Sequence, residues 1–389
     1  MNAFAKQAVA RSLLRDLYSA DQLREKMTWF WFNHFNVHLR KGDISATIGD
    51  YEENALRRNA LGRFRNLLRA TATHPAMLRY LDNAQNAKGH LNENYAREIM
   101  ELHTMGVGSG YTQDDVQELT RILTGVGVNF QLADTDNIPK PGIMAQADYI
   151  RAGLFEFNPD RHDYGVKHFL GHTIVGRGFA EVEQALDILA RQPATVIYVS
   201  RKIATFFMSD APPEELVKRM AQVFRATDGD IVNVLRVMLK SPEFADSLRA
   251  KDKYKDPMQF VLSAVRLAYD TDVILDTAPI QGWLNRLAEG LYNHPTPDGY
   301  PMTAPAWNGP GQMATRFEIA RQIGSNASSL FKAPESQTVA HAAFPQIQNT
   351  FYLNVLRPTL SASTRAVLDL ATSPQEWNTL FLSSPEFMR

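Results

Sequence analysis

The stretch "NENYAREIMELH", Asn92 to His103, carries three glutamates, an arginine and a histidine in a pattern that reads as a helix. With residues placed 100° apart around the axis, Tyr95, Ile99 and Leu102 form an apolar stripe. Arg97 and Glu101, four residues apart on the opposite side, form a surface ion pair worth a few tenths of a kcal/mol. Glu98 falls on one edge of the apolar arc and His103 on the other, so both are predicted to be partly buried. A buried carboxylate costs several kcal/mol unless it is paired. Glu98 therefore needs an arginine, a metal or a proton of its own. Glu98 and Glu101 share a face and could hold a hard cation or divide acid and base roles. A buried Glu–Arg or Glu–Tyr bond between helices accounts for the same letters.

Two further groups carry possible chemistry. In "WFWFNHFNVH", His34 and His38 are four apart and would stack on one helical face, a spacing that can ligate one metal. No HExxH pattern accompanies them, and a histidine among aromatics is commonly a satisfied core residue. In "NPDRHDYGVKHFLGHTI", His162, Asp163, His168 and His172 lie close together on loop or strand. His168 and His172 would point to the same face of one strand. His162 and Asp163 suit a metal ligand or general base, or equally a turn in which Asp163 bonds backbone near Gly165.

Helical periodicity must position these groups. Apolar residues recur at three- and four-residue steps over 21–39, 60–72, 93–105, 112–126, 180–192, 196–209, 213–227, 231–241, 257–270 and 314–325, which predicts a helix at each. Thr112 precedes Asp114 and Asp115, which suit a helix start. "SPEF" at Ser241 and Ser384 and "SPQEW" at Ser373 offer serine as N-cap with proline behind it. Helical period is lost over 129–178, where a small β-hairpin or ordered loop is expected. It is lost again over 292–313, a proline- and glycine-rich loop that cannot sustain a helix. Tyr292, Tyr300 and Trp307 imply order in that loop, and Tyr300 and Trp307 could stack against a sugar or merely pin the chain. The expected fold is mainly α: a large multi-helix orthogonal bundle with a small β-hairpin insertion. It reads as one domain over 1–389, with N-terminal helices to 128, the insertion over 129–178 and C-terminal helices from 179.

Composition narrows the classes. The 389 residues are 44% hydrophobic and 21% charged, a globular balance. A net charge of −1 leaves no basic excess for a dominant nucleic-acid surface. The arginine-rich run 54–70 reads as a solvated helix face. Absence of cysteine removes disulfides and thiolate sites. No run of 18 apolar residues is present, so no transmembrane helix is expected, and the first twenty residues lack a signal-peptide core. Phosphate-loop, dinucleotide, nucleophile-elbow and haem-attachment motifs are all missing.

"HPAMLRYLDNAQN" (74–86) and "NENYAREIMELHTMGVGSGYTQDDVQELTRILTG" (92–125), followed in order by "HDYGVKHFLGHTI", "VFRATDGDIVNVLRVMLKSPEF" and "TPDGYP", resemble family 1800 of the bacterial domains of unknown function. The resemblance runs from about Met27 to at least Trp307. It implies a bacterial, mostly helical protein of a family that is often exported. It also directs attention to the polar letters of its longest motifs: Asn92, Asn94, Arg97, Glu98, Glu101, His103, Tyr111, His162, Asp163 and Asp298. The sequence thus predicts a hydrolase-like acid–base pocket of Glu98, Glu101, His103, His162 and Asp163, with or without a divalent metal on the histidines. Its ligand would be a small molecule or glycan. The rival is a non-enzymatic helical scaffold or binding module for an envelope partner.

Overall fold

The computed structural model describes residues 2–131, 147–251, 253–270, 272–326, 329–332 and 344–389. Part of the expected insertion, 132–146, lies outside the described residues. The chain is 59% helical and 5% strand, which makes it mainly α as expected.

The helices begin where the capping chemistry places them. Helix α1 (Ala3–Tyr18) starts behind Asn2, whose side chain accepts from the Ala5 N–H. Helix α2 (Gln22–His34) carries the aromatic run. Short helices α3 (Ile44–Asp50), α4 (Phe64–Ala72), α5 (Pro75–Tyr80) and α6 (Asn94–Glu98) follow. Helix α7 (Gln113–Ile122) begins with the expected capping box between Thr112 and Asp115. After the β region come α8 (Phe179–Arg191), α9 (Pro193–Phe207), α10 (Glu214–Ala226), α11 (Ile231–Leu239) and α12 (Pro242–Ala250). Then α13 (Pro257–Tyr269), α14 (Ala278–Arg286), α15 (Pro310–Gly324), α16 (Ala362–Leu368) and α17 (Pro374–Leu382) complete the described helices. Ser241 and Ser373 cap α12 and α17 as predicted. The second "SPEF" forms only a turn, with Ser384 Oγ accepting from the Phe387 N–H at 3.2 Å.

The β region is two small sheets rather than one hairpin. Strands β1 (Val126–Val128), β2 (Ile150–Ala152) and β3 (Phe155–Phe157) form an antiparallel sheet in the order β1-β3-β2. Strands β4 (Lys167–Phe169) and β5 (His172–Ile174) form a hairpin turned by Leu170 and Gly171, both at positive φ. That hairpin sits on α7, where Glu118 accepts from the His168 N–H and Asp115 from the Leu170 N–H, each at 2.8 Å.

Aromatic side chains of α2 and that of Phe35, which caps it, form a buried cluster in the core. Phe30, Trp31 and Phe35 pack with Phe64 and Phe206, all buried. Each such ring contributes about 2–3 kcal/mol of burial. The Trp31 indole donates to the Ala60 carbonyl at 2.9 Å, so no donor is stranded.

Three expectations are corrected. Helix α2 ends at His34, five residues before the sequence pattern does, because tertiary bonds outcompete the next turn. Asn36 leaves the helix and donates its amide to the carbonyls of His294 and Thr296 at 3.1 and 2.7 Å. The opening helix is not regular either: α6 passes into a π-helical turn, Ile99–Thr104. Finally, α15 starts at Pro310 behind Gly309, inside the stretch expected to be loop, because proline is well placed in a first turn.

Candidate functional site

The start of α6 is fixed by amides. Asn92 Oδ1 accepts from the Asn94 N–H at 3.1 Å, and Asn94 Nδ2 donates to the Leu81 carbonyl at 3.2 Å. Arg97 reaches Glu93 at 3.2 Å, Gln113 at 2.8 Å and Glu101 at 3.5 Å. The expected Arg97–Glu101 pair is therefore present. Asn92, Asn94 and Arg97 are all engaged in holding this segment to its neighbours.

The π turn changes which side chains face in. Its backbone closes from the Met105 N–H to the Met100 carbonyl at 2.9 Å, and the Thr104 hydroxyl caps the Ile99 carbonyl at 2.7 Å. The extra residue in the turn rotates Met100 into the core and leaves Leu102, placed in the apolar stripe by regular geometry, half-buried. It also carries His103 fully inside, at 0% exposure, against Phe35 and His34.

Glu98 precedes the turn and remains half-buried. Among the described residues it makes no hydrogen bond or ion pair. Burial raises its pKa, and the negative charges of Glu101 and Asp298 raise it further. Of the three partners considered for Glu98, neither an arginine nor a metal group is found beside it among the described residues. Glu101 is better served. Besides Arg97 it takes a hydrogen bond from Tyr111, whose phenol is pushed up to about 12 by burial and by that bond.

Asp298 comes from the loop ahead of α15, and α2 holds that loop in place. Asn33 Nδ2 donates to the Tyr300 carbonyl at 2.9 Å, and its Oδ1 accepts from the Tyr300 N–H at 2.5 Å. Tyr80 donates its hydroxyl to the Pro295 carbonyl at 2.8 Å. Gly299 passes so close that a Cβ there would sit 2.1 Å from the Asn33 carbonyl oxygen, and its φ is +75°. Only glycine fits. The Asp298 side chain stands 64% exposed at the crest, 3.4 Å from His294. Tyr300 and Trp307 turn inward, bonded to the carbonyls of Gly290 and Pro301 at 2.8 and 2.9 Å. They pin the loop and offer a sugar no open face.

The sequence reading missed Lys202 of α9. Among the described residues it has no hydrogen bond or ion pair, and it sits 5.5 Å from the centre of the Tyr198 ring. Burial lowers its pKa from 10.5 to about 8, against a raising influence from Asp298. A signal was available: Lys202 is three residues after Val199 and four before Phe206, both in the core, so it lies on the apolar arc of its helix. Its field and burial drive His103 down to about 3, with burial the larger cause. His103 is thus a neutral ring, and both of its nitrogens lack a partner in the structure.

The histidines expected to bind metal do not converge. His34 Nε2 lies 2.9 Å from the His103 carbonyl oxygen, inside the aromatic core. His38 falls beyond the end of α2, so the two do not stack four apart on a helix; His38 instead bonds Asn293. His168 and His172 lie on different strands, His168 opposite Thr173 and His172 opposite Phe169, so they face opposite sides of the hairpin. Among the described residues no group of three or more histidine, aspartate or glutamate side chains could hold a metal ion.

His162 and Asp163 belong to a separate cluster. His162 Nε2 lies 3.0 Å from Glu181 Oε1 and its Nδ1 lies 2.7 Å from the Thr124 carbonyl. Lys167 pairs with the other Glu181 oxygen, and all three side chains are fully buried. Arg121 holds Asp163 at 2.8 Å and pulls its carboxyl down to about 2. Asp163 Oδ1 also accepts from the Gly165 N–H at 2.8 Å, the turn anticipated from sequence. The contacts of His162 and Asp163 run to α7, β4 and α8, not to Glu98.

Fold and cluster together define a mainly helical protein in which a carboxylate and a lysine, both without a hydrogen bond or ion pair among the described residues, feel the charge of Asp298 on a clamped loop. The chain belongs to the family described as protein of unknown function (DUF1800), whose model matches residues 2–389. No curated protein and no solved structure matches it. Among the described residues no helix is long and apolar enough to cross a membrane.

Proposed function

We propose that the chain carries a proton-transfer centre of hydrolytic type, with Glu98 as the acid that holds the proton. One observation carries this reading: Glu98 is a half-buried carboxylate with no hydrogen bond or ion pair among the described residues, beside two further carboxylates. Burial first, and like charges after it, shift Glu98 toward its protonated form. Glu101, oriented by Arg97 and Tyr111, and the exposed Asp298 supply that field. Lys202, whose pKa burial lowers to about 8 and which also feels the charge of Asp298, is the matching base. The ligand would be a small molecule that reaches the crest of the loop. With no three-ligand group among the described residues, no step is assigned to a metal.

Two measurements test this. Carbon-detected NMR titration, with Glu98→Gln to assign the signal, should show a Glu98 midpoint above 4.5. On p-nitrophenyl acetate, phosphate and β-glucoside, any turnover should fall by about 100-fold or more in Glu98→Gln. A midpoint at or below the ordinary value, or equal turnover in both proteins, refutes the proposal.

The scaffold reading draws on the closed polar contacts elsewhere, chiefly the Asn33 and Asn36 clamps and the Glu181 cluster. Under it Glu98→Gln changes stability alone, and no ester, phosphate or glycoside is turned over.

A further inference from the structure

A second gathering of polar groups shares no lining residue with the Glu98 centre. A cleft of about 540 Å³ opens between α3–α5 and the β2–β3 hairpin. Its apolar wall is Phe155 and Phe179, packed edge to face with centroids 5.6 Å apart. Its polar wall is two prearranged pairs, Asp50–His74 and Arg69–Glu183. We propose that this cleft binds a neutral carbohydrate.

The charges in the cleft are already answered, which decides the ligand class. His74 Nδ1 accepts from the Ala76 N–H at 3.1 Å, so its proton sits on Nε2 and points at Asp50, 3.0 Å away. The other Asp50 oxygen takes a bond from Asn54. Glu183 receives Arg69 on one oxygen and Arg65 on the other, each at 2.6 Å. A cation would have to break one of these pairs and lose charge-assisted bonds to do so, and an anion that reached the open Arg69 nitrogens would meet the Glu183 carboxylate already paired with that guanidinium. A hydroxyl meets no such barrier, because it donates and accepts at once. It can donate to a free lone pair of Asp50 or Glu183 while accepting from Arg69, whose terminal nitrogens make no other hydrogen bond among the described residues. Closely spaced hydroxyls on a ring with apolar C–H faces are the defining chemistry of a sugar, and the partly exposed Phe179, backed by buried Phe155, supplies the surface for that face. The volume suits about one or two sugar rings.

Saturation-transfer NMR on the full chain with glucose, N-acetylglucosamine and cellobiose tests this, with acetate and methylammonium as charged controls. At least one sugar should bind, with transfer strongest at its ring C–H protons, and neither ion should. Arg69→Met should weaken that sugar by about tenfold or more. It is the variant that keeps the test independent of folding, since Arg69 lies on the surface and Glu183 retains Arg65. Phe179→Ala should abolish transfer, and Glu98→Gln should leave it unchanged. No sugar bound at tens of millimolar, unchanged binding in Arg69→Met, preference for either ion, or loss in Glu98→Gln each overturns the proposal.

Discussion

Two clusters in this molecule draw on the same types of side chain and finish in opposite states. Around Glu181, a histidine, a lysine and two backbone N–H groups converge on one buried carboxylate, and each of its oxygens is bonded. Around Glu98, a carboxylate and a lysine sit within reach of the same Asp298 field, and neither makes a hydrogen bond or ion pair among the described residues. The first arrangement repays desolvation with hydrogen bonds. The second leaves desolvation unrepaid, which shifts both groups toward their neutral forms. Titratable residues alone do not single out a candidate site; it is the unsatisfied ones that set the second cluster apart from the first.

The contrast breaks most visibly at Glu181. Glu181→Ala strands buried Lys167 without its counter-charge and His162 without its hydrogen-bond partner, and should cost about 3–5 kcal/mol, read as a large drop in melting temperature. A small drop would mean that water reaches the cluster and that it is not closed. At Lys202 the sign reverses. Its folded pKa lies below its unfolded value, so the stability linked to it is present above pH 10.5 and lost as pH falls through about 8. Lys202→Met should therefore stabilise the chain at pH 7 by about 1–3 kcal/mol, with the gain fading toward pH 10 in a melting series. A loss of stability at pH 7 would show that the lysine has a partner in solution. The smallest effect belongs to Glu98. Its folded pKa is raised, so its contribution is present below about 4.5 and lost as pH climbs through the raised value. Glu98→Gln should be neutral at pH 4 and stabilising by less than about 1 kcal/mol at pH 7. Destabilisation at pH 7 would move Glu98 into the same category as Glu181.

Helix positions and starts were largely legible, because period and capping chemistry are local. Thr112, Ser241 and Ser373 each cap the helix that follows. The ends were less so: the WFWFNHF pattern continues past His34, but Asn33 and Asn36 are claimed by a loop some 260 residues away. Partial burial of Glu98 followed from its angle on the helix. Complete burial of His103 did not, because the wheel assumed a regular turn where the backbone makes a wide one. Separation of His162 from Glu98 was also beyond reach, since spacing along the chain says nothing of which helix supplies the partner. Glu181 and Lys202 each sit in an otherwise apolar helical arc, a local sign that went unused.

The wide turn at Ile99–Thr104 has a further consequence. Such a turn spends one more amino acid than an ordinary helical one to cover the same bonding pattern, so it behaves as a phase marker. Shortening the segment by a single residue would restore an ordinary turn through the same angle, so the chain behind it would keep its direction while the side chains within the turn changed faces. Gly106, which lets the chain slip past the Tyr198 ring with no room for a methyl group, would stay where it is. Chain length in those six positions, more than the identity of any one of them, sets which of them turns inward.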